Sequence, residues 1–208
     1  MNDNEDYLSL SVRAFAAVTA DKTPTPGGGS VAGVVGALGV ALGEMALNFT
    51  KGKKKFAEYE DYYNALSHKL LRARGMFCDL VADDVAAYKL YQATARQEEG
   101  PEKGQAMEVA TAAAISVPRE AAKLALAVME EMKELAGKCN TWLITDLLAS
   151  AALSAAAVRL SDYNVRINVP NLVDKQAADE IKQASADDLA HANALLAEIE
   201  ALAAPYLP

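Results

Sequence analysis

The sequence predicts an all-α protein, a bundle of long helices in a single domain spanning residues 1–208. Hydrophobic residues form 52% of the chain but aromatic residues only 6%, so Ala, Leu and Val supply most of the apolar content, and Ala and Leu are strong helix formers. Long stretches also carry apolar residues at spacings of three and four. No strand-rich region and no repeat of 20–50 residues is visible, which leaves a helical bundle as the expected architecture.

The first predicted helix covers Asp6 to Ala20, where apolar residues recur on one face. Two prolines and three glycines follow in the segment Thr23 to Ser30, and they cannot continue a helix. This segment is therefore a predicted loop, with Ser30 as the N-cap of the next helix.

A glycine-rich central helix is predicted from Val31 to Phe49, with Gly52 as a C-cap residue. Glycines at positions 33, 36, 39 and 43 each cost about 1 kcal/mol inside a helix relative to Ala. Such a cost is tolerated where a second backbone comes close. We therefore expect another helix to pack on this glycine strip, and we expect the contact to lie near the interface of a homodimer.

The remaining predicted elements follow in order along the chain. They are a helix of about 60 Å from Glu58 to Glu98 with a weak point at Gly75, a turn at Gly100–Gly104, a helix from Gln105 to Ala136 interrupted by Pro118, a polar connector from Lys138 to Ile144, a helix capped by Thr145, a non-helical segment from Asn164 to Asn171, and a last helix from Val173 to Leu202.

Charge and cysteine content exclude several classes of partner and compartment. A net charge of −8 argues against binding to nucleic acid or to anionic membranes. Cys78 and Cys139 lie far apart, which predicts free thiols in a reducing compartment. The acidic segment Met1 to Asp6 lacks the basic region of a secretory signal, and the apolar run Val31 to Gly43 is too short to span a bilayer. We therefore expect a cytoplasmic protein.

The loop before the central helix is the first candidate site. A glycine-rich turn that enters a helix presents backbone N–H groups to an anion or a carbonyl oxygen. The segment Pro24 to Ser30 has neither the Gly-Lys-Ser/Thr ending of a P-loop nor a preceding strand. Its alternative role is a tight entrance to a closely packed helix.

Four lysines within five residues, at positions 51, 53, 54 and 55, form a local positive region in an acidic chain. They could bind phosphate or carboxylate groups, or they could form a solvated helix end.

Carboxylates form the third candidate set. Asp84 shares a helix face with apolar residues and is expected to point inward, whereas the adjacent Asp83 is not. A buried carboxylate is costly unless paired, and its pKa usually rises. Asp146 lies in the first turn of a predicted helix, where its alternative role is to complement the helix dipole.

Asn140, Asn164 and Asn168 could hydrogen-bond a flat, amide-rich ligand or simply form turns. His68 and His191 fall on polar helix faces, and we predict no metal site and no hydrolase triad.

Several sequence blocks occur in an order that resembles one family, the formimidoyltetrahydrofolate cyclodeaminases and the related methenyltetrahydrofolate cyclohydrolases. These blocks are Thr25–Ser30, Asn48–Phe56, Asp84 with Ala87 and Tyr88, Val117–Pro118, Ile144–Asp146 and Asn164–Asn168. The chain departs from the family pattern at Trp142, where relatives often have Asn, and at Leu147–Leu148, which replaces a smaller pair.

The resemblance implies an all-helical enzyme, dimeric or larger, that binds reduced folate in a cleft formed by two subunits. It implies no metal and no cofactor beyond the tetrahydrofolate substrate, which can be polyglutamylated. The reaction would be either hydrolysis of 5,10-methenyltetrahydrofolate to the 10-formyl form or ring closure of 5-formimidoyltetrahydrofolate with release of ammonia. Both pass through a tetrahedral carbon bonded to N5 and N10.

Under this hypothesis, a carboxylate stabilises the cationic methenyl carbon and an Asp or Lys transfers protons. The predicted catalytic residues are Asp84 and Asp146, expected in one cleft with the loop, and the lysine cluster is expected at the mouth of that cleft. The predicted substrate-binding residues are Pro26, Gly27, Gly28, Gly29, Ser30, Lys51, Lys53, Lys54, Lys55, Asn140, Asn164 and Asn168. The alternative is a non-catalytic folate-binding protein or structural dimer, in which Trp142 and Leu147–Leu148 fill the pocket.

Overall fold

The computed structural model describes residues 6–207, and within this range the chain is helical with no strand. Of the acidic segment Met1 to Asp6, for which we expected no secretory signal, only Asp6 lies among the described residues. The α-helices of the described part are α1 (Val12–Ala20), α2 (Gly28–Asn48), α3 (Glu60–Ala95), α4 (Pro101–Ala136), α5 (Ile144–Asn168) and α6 (Lys175–Ala203), joined by short 3₁₀ turns. The predicted all-α fold is confirmed.

The helices α2 to α6 pack around one apolar core. Helix α2 packs mainly against α3 and α5, and α4 lies against α3, α5 and α6. The side chains of the core come from all five of these helices, and the largest fully buried ones include Tyr63, Phe77, Met129, Leu147 and Ile199.

The space beside the glycines of α2, where a side chain would otherwise lie, is filled by side chains of the same chain. A Cβ atom at Gly36 would lie 2.4 Å from the ring of Phe77 on α3, and one at Gly39 would lie 3.2 Å from Leu153 Cβ on α5. The other two glycines behave alike: Gly33 lies against Val81, and Gly43 against Met132. The glycine strip thus allows the expected close packing of other helices on α2, here within the chain, and a homodimer with α2 near its interface stays a prediction.

The first two helices begin elsewhere than predicted. A 3₁₀ turn at Tyr7–Ser9 precedes α1, whose N-cap is Ser11, because the Ser11 hydroxyl accepts a hydrogen bond from the Ala14 amide at 3.2 Å. Helix α2 begins at Gly28 with Gly27 as its N-cap. The prediction of Ser30 as the N-cap was wrong, because the Ser30 hydroxyl is used in a tertiary contact.

Helices α3 and α4 are continuous where the sequence suggested breaks. Helix α3 passes through Gly75 without interruption. Helix α4 starts at Pro101, a residue type suited to a first turn, so the predicted turn at Gly100–Gly104 is mostly helical. It also continues through Pro118.

Helix α5 corrects two further boundaries. It begins at Ile144 without a side-chain cap, so Thr145 is not the N-cap. The segment predicted to be non-helical is helical as far as Asn168. The amide groups of Asn164 and Asn168 explain this outcome, because each donates at 2.8 Å to the backbone carbonyl four residues earlier and thereby follows the helix.

Two helical segments, Gly28–Asn48 and Thr141–Asn171, are long and apolar enough by length and composition to cross a bilayer. Half of the most apolar window of each is buried inside the bundle, as in core helices of soluble proteins. The expectation of no membrane span stays a prediction.

Candidate functional site

A cleft of about 280 Å³ opens at one end of the bundle, where α3, α4 and the C-terminal end of α5 meet. It combines one carboxylate, three Asn residues, two tyrosines and an apolar wall. Its lining residues are Asp84, Ala87, Tyr88, Tyr91, Ala114, Val117, Asn164, Ile167, Asn168 and Asn171.

The Asp84 carboxyl group lies against the N-terminal turn of α2. The fully buried Ser30 hydroxyl donates a hydrogen bond of 2.7 Å to Asp84 Oδ2. A Cβ atom at Gly29 would lie 2.0 Å from Asp84 Oδ1, so this position admits no side chain while the carboxyl group stays in place. Asp83 is exposed, and the prediction that Asp84 is the inward carboxylate is confirmed.

Burial raises the pKa of the Asp84 carboxyl group above its ordinary value. Hydrogen bonds from the side chain and the backbone of Ser30 act in the opposite direction but are weaker. Among residues 6–207, no Lys, Arg or His lines the cleft, so this part of the lining supplies no cation to hold the carboxylate ionised. Such a group is suited to accept and return a proton.

Asn164 and Asn168 adjoin this carboxyl group from α5. A Cβ atom at Gly28 would lie 3.4 Å from Asn164 Nδ2, which places Asn164 beside the glycine loop. Asn168 Nδ2 also donates to the Ala114 carbonyl at 3.3 Å. That carbonyl lacks its helical donor because Pro118 has no N–H, so Asn168 replaces the missing bond. The Oδ1 atoms of the two asparagines accept no hydrogen bond within residues 6–207 and can serve as ligand acceptors.

Several residues of the cleft are absent from the set predicted from the sequence. Tyr88 and Tyr91 follow Asp84 by four and seven positions on α3, so the helical period could have identified them. Gln92 Nε2 donates to the Tyr88 hydroxyl at 2.7 Å and fixes the phenol in place. Ile167 and Asn171 carried no sequence signal that would have placed them here.

Asn140 belongs to the opposite end of the bundle. Its backbone amide donates to Thr50 Oγ1 at 2.9 Å, and its Nδ2 donates to the Phe49 carbonyl at 3.4 Å. Its Oδ1 accepts from the Trp142 amide at 3.4 Å. These contacts join the end of α2 to the start of α5, and they correspond to the structural role that we had considered for this residue.

The lysine cluster lies at this same opposite end, between α2 and α3. Gly52 adopts φ +76°, the left-handed conformation that glycine accommodates best. Lys53, Lys54 and Lys55 are exposed, and Lys51 is half-buried. None of the four forms an ion pair with the residues that the structure describes.

Asp146 is half-buried in the first turn of α5, near Asn140. Asn164 lies 18 residues further along the same helix, which corresponds to about 27 Å at 1.5 Å per residue. One chain therefore brings Asp84, the glycine loop, Asn164 and Asn168 together. Asp146, Asn140 and the lysine cluster lie at the other end, so a single chain does not bring the two carboxylates together, and their expected place in one cleft formed by two subunits stays a prediction.

The side chains that depart from the family pattern leave the cleft open. Trp142 is 87% exposed, and Leu147 is fully buried in the core. Neither lines the cleft around Asp84.

Cys78 and Cys139 are free. Within the described part of the chain, no three His, Cys, Asp or Glu residues are grouped in a way that could hold a metal ion.

Comparison with known proteins relates the chain to folate enzymes. The chain is 31% identical over 192 residues to the methenyltetrahydrofolate cyclohydrolase of Methylorubrum extorquens, covering 89% of this chain and 91% of that protein. It is 29% identical over 177 residues to the formimidoyltransferase-cyclodeaminase of Rattus norvegicus, covering 82% of this chain but only 32% of that longer protein.

A solved structure shares the fold. The formiminotetrahydrofolate cyclodeaminase of Thermotoga maritima superposes with a TM-score of 0.87 at 27% identity, over 95% of this chain and 98% of that one. The family profile described as Formiminotransferase-cyclodeaminase matches residues 11–187. The protein therefore belongs to the formiminotransferase-cyclodeaminase family.

Proposed function

We propose that the protein is a tetrahydrofolate one-carbon enzyme of the 5,10-methenyltetrahydrofolate branch point. It acts either as a methenyltetrahydrofolate cyclohydrolase or as a formimidoyltetrahydrofolate cyclodeaminase. The observation that carries the proposal is the half-buried Asp84 carboxyl group, held by Ser30 against Gly29 in a cleft with amide and phenol groups. Family membership supplies the substrate class.

Asp84 is the proton-transfer group of the proposed reaction. In the cyclohydrolase direction, a water oxygen bonds to the methenyl carbon, and Asp84 accepts the proton that the water loses. The bond from this carbon to N5 then breaks, Asp84 returns its proton to N5, and the added hydroxyl releases its remaining proton to solvent as it becomes the oxygen of the formyl group on N10. In the cyclodeaminase direction, N10 attacks the formimidoyl carbon, and the N10 proton passes to the formimidoyl nitrogen. The protonated Asp84 then donates a second proton to this nitrogen, the C–N bond breaks, and ammonia leaves with the bonding electrons, so that the methenyl cation remains on N5 and N10. The raised pKa of Asp84 suits both roles.

The amide oxygens of Asn164 and Asn168 are acceptors for the N–H groups of a flat, nitrogen-rich ring. The Tyr88 hydroxyl accepts from Gln92, so its own proton is available to the ligand. We assign these groups to orienting the folate.

We further propose that two chains complete one site, because Asp146 lies about 27 Å along α5 from Asn164, and Asn140 and the lysine cluster lie at the same end of the bundle as Asp146. Helix α2 carries the Asp84 cleft at its N-terminal end and the lysine cluster at its C-terminal end. An antiparallel homodimer along α2 and α5 would bring the cleft of one chain to the lysines of its partner. These lysines then provide counter-charges for the anionic glutamate tail.

Exposed apolar side chains support this surface. Leu38 and Met45 on α2 are 56% and 40% exposed, and Phe49, which follows the end of α2, is 55% exposed. Tyr163 and Ile167 on α5 are 55% and 72% exposed. Large exposed side chains of this kind on two adjacent helices mark an interaction surface. They replace the glycine strip as the reason for expecting a dimer.

Paired assays test the activity. Purified protein should either remove the near-ultraviolet absorbance of 5,10-methenyltetrahydrofolate faster than the buffer does or release ammonia from 5-formimidoyltetrahydrofolate. The first result identifies the cyclohydrolase and the second the cyclodeaminase. Silence in both assays would refute the enzyme proposal, and tight folate binding without turnover would favour the non-catalytic alternative.

Subunit mixing tests the shared site. Asp84→Asn and Asp146→Asn each remove one half of the proposed site, so each homodimer should be inactive. Equal mixing with subunit exchange makes half of the dimers mixed, and each mixed dimer has one intact site, which restores about a quarter of wild-type activity. The control for subunit exchange is the double variant Asp84→Asn/Asp146→Asn mixed with the wild-type protein, because neither site of such a mixed dimer keeps both carboxylates. Activity that stays absent after proven exchange would contradict a site shared between chains.

A further inference from the structure

A second, much smaller cavity borders Asp84. It is enclosed, and the space open to the centre of a water molecule is about 10 Å³. Its walls come from α2, α3, α4 and α5 and are apolar apart from two side chains, those of Asp84 and Ser161. The lining residues are Gly29, Ala32, Gly33, Leu80, Asp84, Val117, Pro118, Ala121 and Ser161.

Ser161 is a buried hydroxyl group without a partner. It is fully buried on α5, and its Oγ forms no hydrogen bond within the described part of the chain. Helical serines commonly donate to the carbonyl four residues earlier, as Ser154 does to Ser150 at 2.9 Å. Ser161 lacks that bond, although a buried hydroxyl group loses free energy when it is unpaired. Because Ser161 lines the cavity beside Asp84, we expect its hydroxyl group to form a hydrogen bond with a small molecule inside that cavity.

The size and polarity of the cavity restrict which molecule can be the hydrogen-bond partner of Ser161. A volume of this order holds one water molecule and nothing larger. A water needs at least two polar partners, and the Asp84 carboxyl and the Ser161 hydroxyl provide them. In the part of the chain that the structure describes, Tyr88 and Tyr91 are the other titratable groups that line the two cavities bordered by Asp84, and no Lys, Arg or His lines either one.

We infer that one water molecule occupies this cavity and bridges Ser161 Oγ to the Asp84 carboxyl group, which makes Ser161 a positioning residue for Asp84. A water and a hydroxyl can each donate or accept. The pair can therefore donate to the carboxylate when Asp84 is ionised and accept from the carboxylic acid when it is protonated. The benefit to turnover rests on the proposed function, but the bridge itself does not.

The chain offers a matched control in Ser150. It is also fully buried on α5 with an unpartnered hydroxyl. It lies 11 residues before Ser161, about 16 Å along the helix, and it does not line either cavity beside Asp84. Ser161→Ala and Ser150→Ala thus remove the same group from the same kind of environment.

The decisive measurement is the titration of the Asp84 carboxyl group in the substrate-free protein, by difference infrared or carboxyl carbon NMR spectroscopy, with Asp84→Asn assigning the signal. Ser161→Ala removes one partner of a water that donates to the carboxylate. Because a hydrogen bond to the ionised carboxylate is stronger than one from the neutral acid, the pKa of Asp84 should rise by about half a unit or more, and Ser150→Ala should leave it unchanged. An unchanged pKa in Ser161→Ala would overturn the inference, as would an equal shift in both variants.

Two further readouts separate the possible failures. A high-resolution crystal structure of the wild-type protein should contain a water within hydrogen-bond distance of both Ser161 Oγ and an Asp84 oxygen, and this test holds even if Ser161→Ala does not fold. A dry cavity would overturn the inference. In the active enzyme, Ser161→Ala should lower kcat several-fold and move the acid limb of the kcat–pH profile upward, with KM little changed. A shifted Asp84 titration in a protein that turns over neither folate would sustain the bridge and reject the proposed function.

Discussion

Replacing Gly29 by alanine tests whether the glycine loop exists to admit the Asp84 carboxyl group. The new Cβ would lie 2.0 Å from Asp84 Oδ1 and 2.6 Å from its Cγ. The first distance is about 1.5 Å short of a normal contact. Because Gly29 is part of the hydrogen-bonded first turn of α2, its backbone cannot shift, and the Asp84 carboxyl group must move away from it. Its hydrogen bond of 2.7 Å from Ser30 then breaks, and the fully buried Ser30 hydroxyl loses its partner.

The expected cost follows from two opposing terms. A hydrogen bond to a charged group contributes about 1.5–3 kcal/mol. Replacing a helical glycine by alanine returns about 1 kcal/mol. The free energy of unfolding of Gly29→Ala should therefore fall by about 0.5–2 kcal/mol. Gly75→Ala is the control, because Gly75 lies within α3 and a Cβ there meets nothing within 4 Å.

Urea unfolding at one protein concentration, followed by far-ultraviolet circular dichroism, measures both variants. Gly75→Ala should gain up to about 1 kcal/mol, so the two variants should differ by about 1.5–3 kcal/mol, the contribution of the Ser30–Asp84 bond. Turnover should fall in Gly29→Ala and stay at the wild-type level in Gly75→Ala. If Gly29→Ala becomes as stable and as active as Gly75→Ala, the reasoning about the loop is refuted.

Three other predictions concern single side chains. Asp84→Asn should lower kcat with little change in folate affinity. Burial raises the folded-state pKa of Asp84, so the stabilising contribution of its carboxyl group is complete below the unfolded-state pKa and is lost as the pH rises through the folded-state pKa. At neutral pH, Asp84→Asn should thus unfold at a higher urea concentration than the wild-type protein. The reverse order would contradict a raised pKa of Asp84. Lys54→Ala should raise KM, more for longer glutamate tails, with kcat unchanged; equal KM changes for all tail lengths would exclude the tail contact. Asn168→Ala should lower the free energy of unfolding by about 1–3 kcal/mol, because it leaves the Ala114 carbonyl unpaired. This loss should be smaller in a Pro118→Ala background, which restores the backbone N–H donor to that carbonyl. Additive effects of the two substitutions on the free energy of unfolding would show that Asn168 does not replace the missing backbone bond.

Local sequence patterns were sufficient for the helical elements and for the orientation of Asp84. The apolar period along α3 placed Asp84 on the inner face and Asp83 on the outer one, because side-chain direction in a helix depends only on nearby positions. The same period would have added Tyr88 and Tyr91 to the site.

Helix ends were less predictable, because side chains near them have alternative partners. Ser30 looks like an N-cap in sequence, but its hydroxyl bonds to Asp84, and Gly27 begins the helix instead. Asn164 and Asn168 are typical turn formers, yet their amides bond along the helix. The choice between these partners depends on distant residues that no local window contains.

The sequence alone determined an acidic, alanine-rich, all-helical chain with a glycine-rich loop, inward-facing Asp84, and motifs that identify its family. Only the tertiary structure decided that Asp84 and Asn164 line one cleft, and that Asp146 and the lysine cluster lie at the opposite end of the bundle. It also decided that the glycines of α2 receive Phe77 and Leu153 from within the chain. The physical reason is that residue types fix local periodicity, whereas the length and order of the packed helices fix which distant residues come into contact.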